Sequence, residues 1–135
     1  MIVLDASVIL KWLFLAETNR DKAIEIMERH LTEQDFIAVP DLLPYEITNV
    51  LATKANVSEQ EALAGISQIL SYELEINSAD PVDHAAMLRL SRAHHISVYD
   101  AAYVHLAQKL NCPLITADEK LYEKTKSLPG VRLLQ

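Results

Sequence analysis

Short apolar runs recur along the chain, and helical stretches separate them. They are Ile2–Leu4, "FIAVP" at 36–40, "LEIN" at 74–77, "PLIT" at 113–116 and "VRLL" at 131–134. Successive side chains of a strand point to opposite faces of a sheet, so a continuous apolar run is buried on both. Strands alternating with helices predict a three-layer α/β/α sandwich with a mainly parallel central sheet and right-handed crossovers. Ligands of such sheets bind beyond the carboxyl ends of the strands.

The helices are read from spacing and caps. Ala6–Leu15 fits a helix that offers Val8, Trp12 and Leu13 to the core. "TNRD", Thr18 to Asp21, fits a capping box for a helix with Ala23, Ile24, Met27 and Leu31 on one face. Pro44 suits a helix start; Ile47, Val50, Leu51 and Lys54 share a face there, with Ala55 beside it. Ser58 and Glu61 cap the next helix, which turns Leu63, Ile66, Ile69 and Leu70 inward. Pro81 opens a helix with Ala85, Leu88 and Ala93 as core candidates. "SVYD" at 97–100 opens another, and a short helix begins near Asp118.

The 135 residues suit a single domain, 1–135, with a sizeable core, and only two glycines and five prolines leave no low-complexity linker. Twelve basic residues against 19 acidic ones give a net charge of −7. Such a surface repels a bare phosphate backbone, so nucleic acid would need bound cations or a local basic patch. Cys112 is alone, which excludes an intramolecular disulfide and a cysteine metal cage; it reads as a small buried hydrophobe. Ile2–Ala16 is interrupted by Asp5 and Lys11 and lacks the flanks of a signal peptide, and no run reaches a membrane-spanning length. A cytoplasmic protein is expected.

Four acids fall where this architecture puts ligands. Asp5 ends the first strand, and Asp118 lies two residues past Thr116, the end of the fourth. Asp100 and Glu46 stand in the first turns of helices that can face the same rim. Each acid has a local explanation: Asp5 as an N-cap, Ser97 to Asp100 and Thr116 to Glu119 as capping boxes, Glu46 as a solvated residue near a helix dipole. Together, however, converging carboxylates repel one another, and a hard cation such as Mg²⁺ or Mn²⁺ offsets that repulsion through oxygen ligands. Ser7 and Thr116 bring hydroxyls that can orient a ligating carboxylate, and Asn49, one turn from Glu46, can orient it or touch substrate.

"MIVLDASVIL", "LLPYEITNVL", "SVYDAAYVHLA" and "LITADEKL" resemble, in order, the four signature stretches of PIN-domain nucleases, specifically VapC-like toxins. The resemblance runs from end to end of the chain. It implies a PIN-like fold and a Mg²⁺- or Mn²⁺-dependent endoribonuclease whose acids are Asp5, Glu46, Asp100 and Asp118. It also implies RNA as substrate, a homodimer and a VapB-type antitoxin partner. Many relatives carry a further acid a few residues past the fourth; here Glu119 follows Asp118 directly, and Lys120 and Leu121 come next. That departure leaves one or two metal ions open.

Other chemistries fit less well. His94-His95 invites comparison with an acid–base pair but falls in a loop before the Asp100 helix, as surface or RNA-contacting residues. His105 points away from Asp100, and His30 and His84 have no useful neighbours. Lys11, Arg89, Arg92, Lys120 and Lys124 are candidate phosphate contacts, although solvated helix faces explain them too. A haloacid-dehalogenase-type phosphatase would need a second acid where Ser7 stands. A non-catalytic metal- or RNA-binding module is the other alternative.

Overall fold

The computed structural model describes residues 1–54 and 56–135; Ala55, expected beside the face of Ile47 and Leu51, lies outside them. The strands are β1 (Ile2–Leu4), β2 (Ile37–Pro40), β3 (Glu75–Asn77), β4 (Leu114–Thr116) and β5 (Val131–Leu133). They form one sheet in the order β3-β2-β1-β4-β5, and every pairing is parallel. Val3 pairs with Ala38 on one side and Leu114 on the other, so β1 is central. Every residue of β2 is buried, as burial on both faces requires, whereas the outer strands β3 and β5 are half-exposed.

The helices are α1 (Ala6–Ile9), α2 (Arg20–Leu31), α3 (Leu43–Thr53), α4 (Glu59–Leu70), α5 (Pro81–His94), α6 (Val98–Lys109) and α7 (Glu119–Thr125). Helices and parallel sheet make the expected α/β arrangement. Helix α6 is buried almost all round, through Ala101, Ala102, Tyr103, Val104, Leu106 and Ala107, and packs on β1, β2 and β4. Its alanines let the helix backbone approach the sheet closely. Among the described residues, no helix is long and apolar enough to cross a membrane.

Several local expectations are corrected. The first helix ends at Ile9, continues as a 3₁₀ turn over Leu10–Trp12, and leaves Leu15 exposed. The "TNRD" box does not form: Asn19 is left-handed at φ 54° and its amide donates to the Leu134 carbonyl at 3.3 Å, so the side chain is spent on a tertiary contact. Helix α4 buries Gly65 and Ile69 and exposes Leu63 and Leu70. A Cβ at Gly65 would meet Leu13 Cδ1 at 3.2 Å, so a bare backbone sets how α4 is turned against its neighbours. Helix α5 buries Asp83 and Met87 and exposes Leu88 and Ala93. Asp83 sets that rotation, because His105 Nε2 at 2.7 Å and Lys109 Nζ at 2.9 Å, both on α6, donate to its carboxylate. Cys112 is half-buried rather than buried, and burial pushes its thiol pKa up.

Candidate active site

The chain moves outward from β1 to β2 and β3, then returns through α5 and α6 to lay β4 against the other side of β1. The order reverses between β1 and β4, and such a reversal opens a crevice at the strands' carboxyl ends. Asp5 follows β1 into that crevice, and Asp118 stands just past the end of β4.

Asp5 is only 6% exposed. One carboxylate oxygen accepts from the Ser7 hydroxyl and, at 3.3 Å, from the Val8 amide; the other accepts from the Thr116 hydroxyl. The Val8 bond makes Asp5 the N-cap of α1. Burial pushes its pKa above the ordinary carboxylate value, the three hydrogen bonds oppose that rise, and the charge of Asp100 adds to it. Ser7 and Thr116 also accept, from the amides of Ala117 at 2.8 Å and Asp118 at 3.0 Å. Both hydroxyls therefore tie the end of β1 to the chain leaving β4.

Glu46 stands half-buried in the first turn of α3, and its carboxylate accepts from the Tyr103 hydroxyl. Burial raises its pKa, the Tyr103 bond lowers it, and the charges of Asp100 and Asp5 raise it further. Tyr103 is buried, and its hydroxyl pKa is raised by that burial and by the Glu46 carboxylate, so it remains a proton donor.

Asp100 lies in the first turn of α6. Its amide donates to Ser97 Oγ at 3.0 Å, but no bond runs back from its carboxylate to the Ser97 amide. The box is half made, which frees the carboxylate for the rim. Burial raises its pKa, the Ser97 hydroxyl opposes this, Asp118 adds repulsion, and Lys124 relieves part of it. Asp118 is exposed and is itself the N-cap of α7, accepting from the amides of Lys120 at 2.8 Å and Leu121 at 3.1 Å. The expected box from Thr116 to Glu119 is thereby replaced: Thr116 turns to Asp5, and Glu119 is the exposed first residue of α7.

Each acid is thus within electrostatic reach of others: Asp100 acts on Asp5 and Glu46, Asp5 on Glu46, and Asp118 on Asp100. Among the described residues, no three His, Cys, Asp or Glu side chains are gathered tightly enough to enclose a metal ion as they stand. The donor set nevertheless has the chemistry of a hard-cation site. It is all carboxylate oxygen, and burial and mutual repulsion raise the ionised forms of Asp5, Glu46 and Asp100 in energy.

A family model described as PIN domain matches residues 2–127. The chain belongs to the PIN domain family. It is 33% identical to ribonuclease VapC3 of Pyrobaculum aerophilum over 94% of this chain and 96% of that protein. The fold is similar to a crystal structure from Pyrobaculum aerophilum, with a TM-score of 0.72 at 22% identity, over 98% of this chain and 83% of that one. It is also similar to a toxin–antitoxin complex from Klebsiella pneumoniae, with a TM-score of 0.69 at 19% identity, over 98% and 96% of the two chains. The family resemblance read from the four motifs holds, at the level of a VapC-like PIN domain.

Some neighbours of this PIN-domain site differ from expectation. Asn49 is exposed and makes no hydrogen bond to Glu46; Tyr103 holds that acid instead. Tyr103 lies one turn after Asp100, on the same helical face, and that spacing was the available signal. His94 and His95 do not act as a pair, since His94 Nδ1 donates to the Lys124 carbonyl at 3.1 Å and His95 is the left-handed C-cap of α5. His30 does have neighbours: its ring bonds the Tyr72 carbonyl at 2.9 Å and the Ile37 amide at 3.3 Å, a structural role.

Proposed function

We propose that this chain is a Mg²⁺- or Mn²⁺-dependent endoribonuclease that hydrolyses RNA phosphodiester bonds, the VapC-like toxin of a toxin–antitoxin pair acting in the cytoplasm. The observation that carries this reading is the placement of Asp5 and Asp118 just past the ends of the neighbouring strands β1 and β4, with Glu46 and Asp100 in the first turns of α3 and α6. Those four acids would hold the cation, which when bound supplies Lewis acidity to a water molecule and to the phosphodiester.

The chain's own groups prepare that chemistry. Ser7, Thr116 and the Val8 amide fix Asp5, and Tyr103 fixes Glu46. Holding ligand carboxylates in place before binding lowers the cost of assembling the site. Asn49, exposed one turn beyond Glu46, is assigned to substrate contact. The relative named ribonuclease supports the activity, and the toxin–antitoxin complex of similar fold supports an antitoxin of the VapB type as partner. A homodimer belongs to the same reading, and Tyr45 and Tyr99, 80% and 66% exposed, supply apolar surface for protein contacts.

The test is cleavage of single-stranded or loop RNA by the purified chain, free of antitoxin. Activity is expected with Mg²⁺ or Mn²⁺ and is expected to vanish with EDTA and in Asp5→Asn and Asp100→Asn, with both variants folded. Full activity in either variant would overturn the assignment.

A further inference from the structure

An acidic site that binds an anionic strand needs protein cations as well as a metal, and five of the twelve lysines and arginines are occupied elsewhere. Lys11 is paired with Glu17, Arg29 with Asp35, Lys109 with Asp83 and Lys126 with Glu123, while Lys54 sits over the Phe14 ring at 3.6 Å. Among the others, Lys124 is held by a hydrogen bond at the turn that leads into the Asp100 helix. Its Nζ donates to the His95 carbonyl at 2.9 Å, and among the described residues no carboxylate lies within ion-pair distance of it. A carbonyl orients an ammonium without neutralising it.

The geometry holds that ammonium against the turn that leads into the Asp100 helix. Lys124 is on α7, the helix capped by Asp118, and the His95 carbonyl lies two residues before Ser97, the cap of the Asp100 helix. The contact is reciprocal, because His94 Nδ1 donates to the carbonyl of Lys124 at 3.1 Å. Two bonds in opposite directions thus clamp the turn between α5 and α6 to α7.

We propose that Lys124 is a phosphate-binding residue of this site, taking a backbone phosphate of a single-stranded nucleic acid next to the bond presented to the acids, with the His94–His95 turn as its support. Through the substrate this rests on the nuclease reading; as a binding site it stands by itself. The ligand chemistry is a phosphodiester oxygen, which an ammonium engages as a point charge.

The experiment compares the full-length wild type with Lys124→Ala, Lys124→Gln, Lys124→Arg and Lys126→Ala. It measures fluorescence anisotropy of a phosphorothioate single-stranded RNA oligonucleotide against salt, in Mg²⁺, and in parallel KM and kcat on cleavable RNA. Lys124→Gln keeps a donor for the His95 carbonyl but no charge, so it separates substrate binding from support of the fold. Ala and Gln are expected to weaken binding about tenfold, to flatten the salt slope by about 0.7 and to raise KM more than they lower kcat. Arg and Lys126→Ala are expected to stay near wild type. Wild-type affinity and slope in Lys124→Gln, or an equal loss in Lys126→Ala, overturns the Lys124 site while wild-type cleavage still upholds the nuclease reading. Binding that depends on Lys124 in a protein that cleaves nothing upholds the site and sinks the nuclease reading. A wild type that neither binds nor cleaves overturns both.

Discussion

The Tyr103 hydroxyl donates to the Glu46 carboxylate, joining the most buried helix of the molecule to the first turn of α3. That bond links the core to the candidate active site, since Tyr103 is itself 1% exposed. Glu46 has no other hydrogen-bond donor among the described residues, so its orientation depends on this one. Tyr103→Phe removes the hydroxyl and keeps the ring. It is expected to cost about 1 kcal/mol of stability, the net worth of one hydrogen bond, while lowering kcat/KM by roughly 10- to 100-fold, as losing the partner of a metal-ligand residue does. Urea unfolding and steady-state cleavage measure the two effects, and a loss of stability without loss of activity would show that the bond serves the fold alone.

Thr116 tests the other side of the crevice. Its hydroxyl is fully buried, donates to Asp5 and accepts from the Asp118 amide. Thr116→Val preserves shape but strands both partners, and is expected to destabilise the protein by about 1–3 kcal/mol and to depress cleavage. Thr116→Ser keeps the hydroxyl and is expected to retain most activity. Equal behaviour of Val and Ser variants in denaturant and in the cleavage assay would count against the hydroxyl's role.

Metal linkage follows from the repulsion among the acids. A cation that binds only the folded chain stabilises it by about 2.7 kcal/mol at a hundred times its Kd. Millimolar Mg²⁺ or Mn²⁺ is therefore expected to raise Tm. Asp100→Asn, which removes the charge felt at both Asp5 and Glu46, is expected to raise the metal-free Tm and to weaken the response. Differential scanning calorimetry with and without each cation decides it, and a flat response to both in the wild type would contradict the proposed site.

The pH profile of the metal-free protein should carry two opposite signatures. Asp5, Glu46 and Asp100 have raised folded pKa values, chiefly through burial. Between the ordinary carboxylate pKa of about 4 and those raised values the folded state binds more protons, so stability falls as pH rises. Asp83 behaves the other way. The His105 hydrogen bond first, then the Asp80 amide and Lys109, hold its pKa well below the ordinary value. Its contribution is present above the unfolded pKa and is lost as pH falls below it toward the folded one. Tm is thus expected to rise on mild acidification and to drop below about pH 4, and Asp83→Asn is expected to flatten that final drop. A metal-free Tm that decreases steadily from neutral pH downward would refute the first half.

Much of the site was legible because its residues are set by short-range chemistry. Asp5, Asp100 and Asp118 each stand where a strand ends or a helix begins, and cap spacing marks such positions. The same local logic failed where a side chain had a stronger distant partner. The expected box from Thr18 to Asp21 gave way to Asn19, whose side chain meets Leu134, and Thr116 left its box to meet Asp5 across 111 residues of sequence. The faces of α4 and α5 depart from their apolar spacing for a similar reason: a glycine and an aspartate, rather than the largest apolar residues, decide how those helices turn.

The amino-acid order alone determined that this chain makes short buried strands separated by helices, with four acids at the strand ends and helix starts, because propensity, capping and periodicity act within a few residues. Only the tertiary structure decided that β4 lies beside β1, that Tyr103 holds Glu46, and that Lys124 is clamped to the His94–His95 turn. Those contacts join elements far apart in the chain. Which of many possible pairings forms depends on how the whole set of buried faces packs at once, and no local spacing encodes that choice.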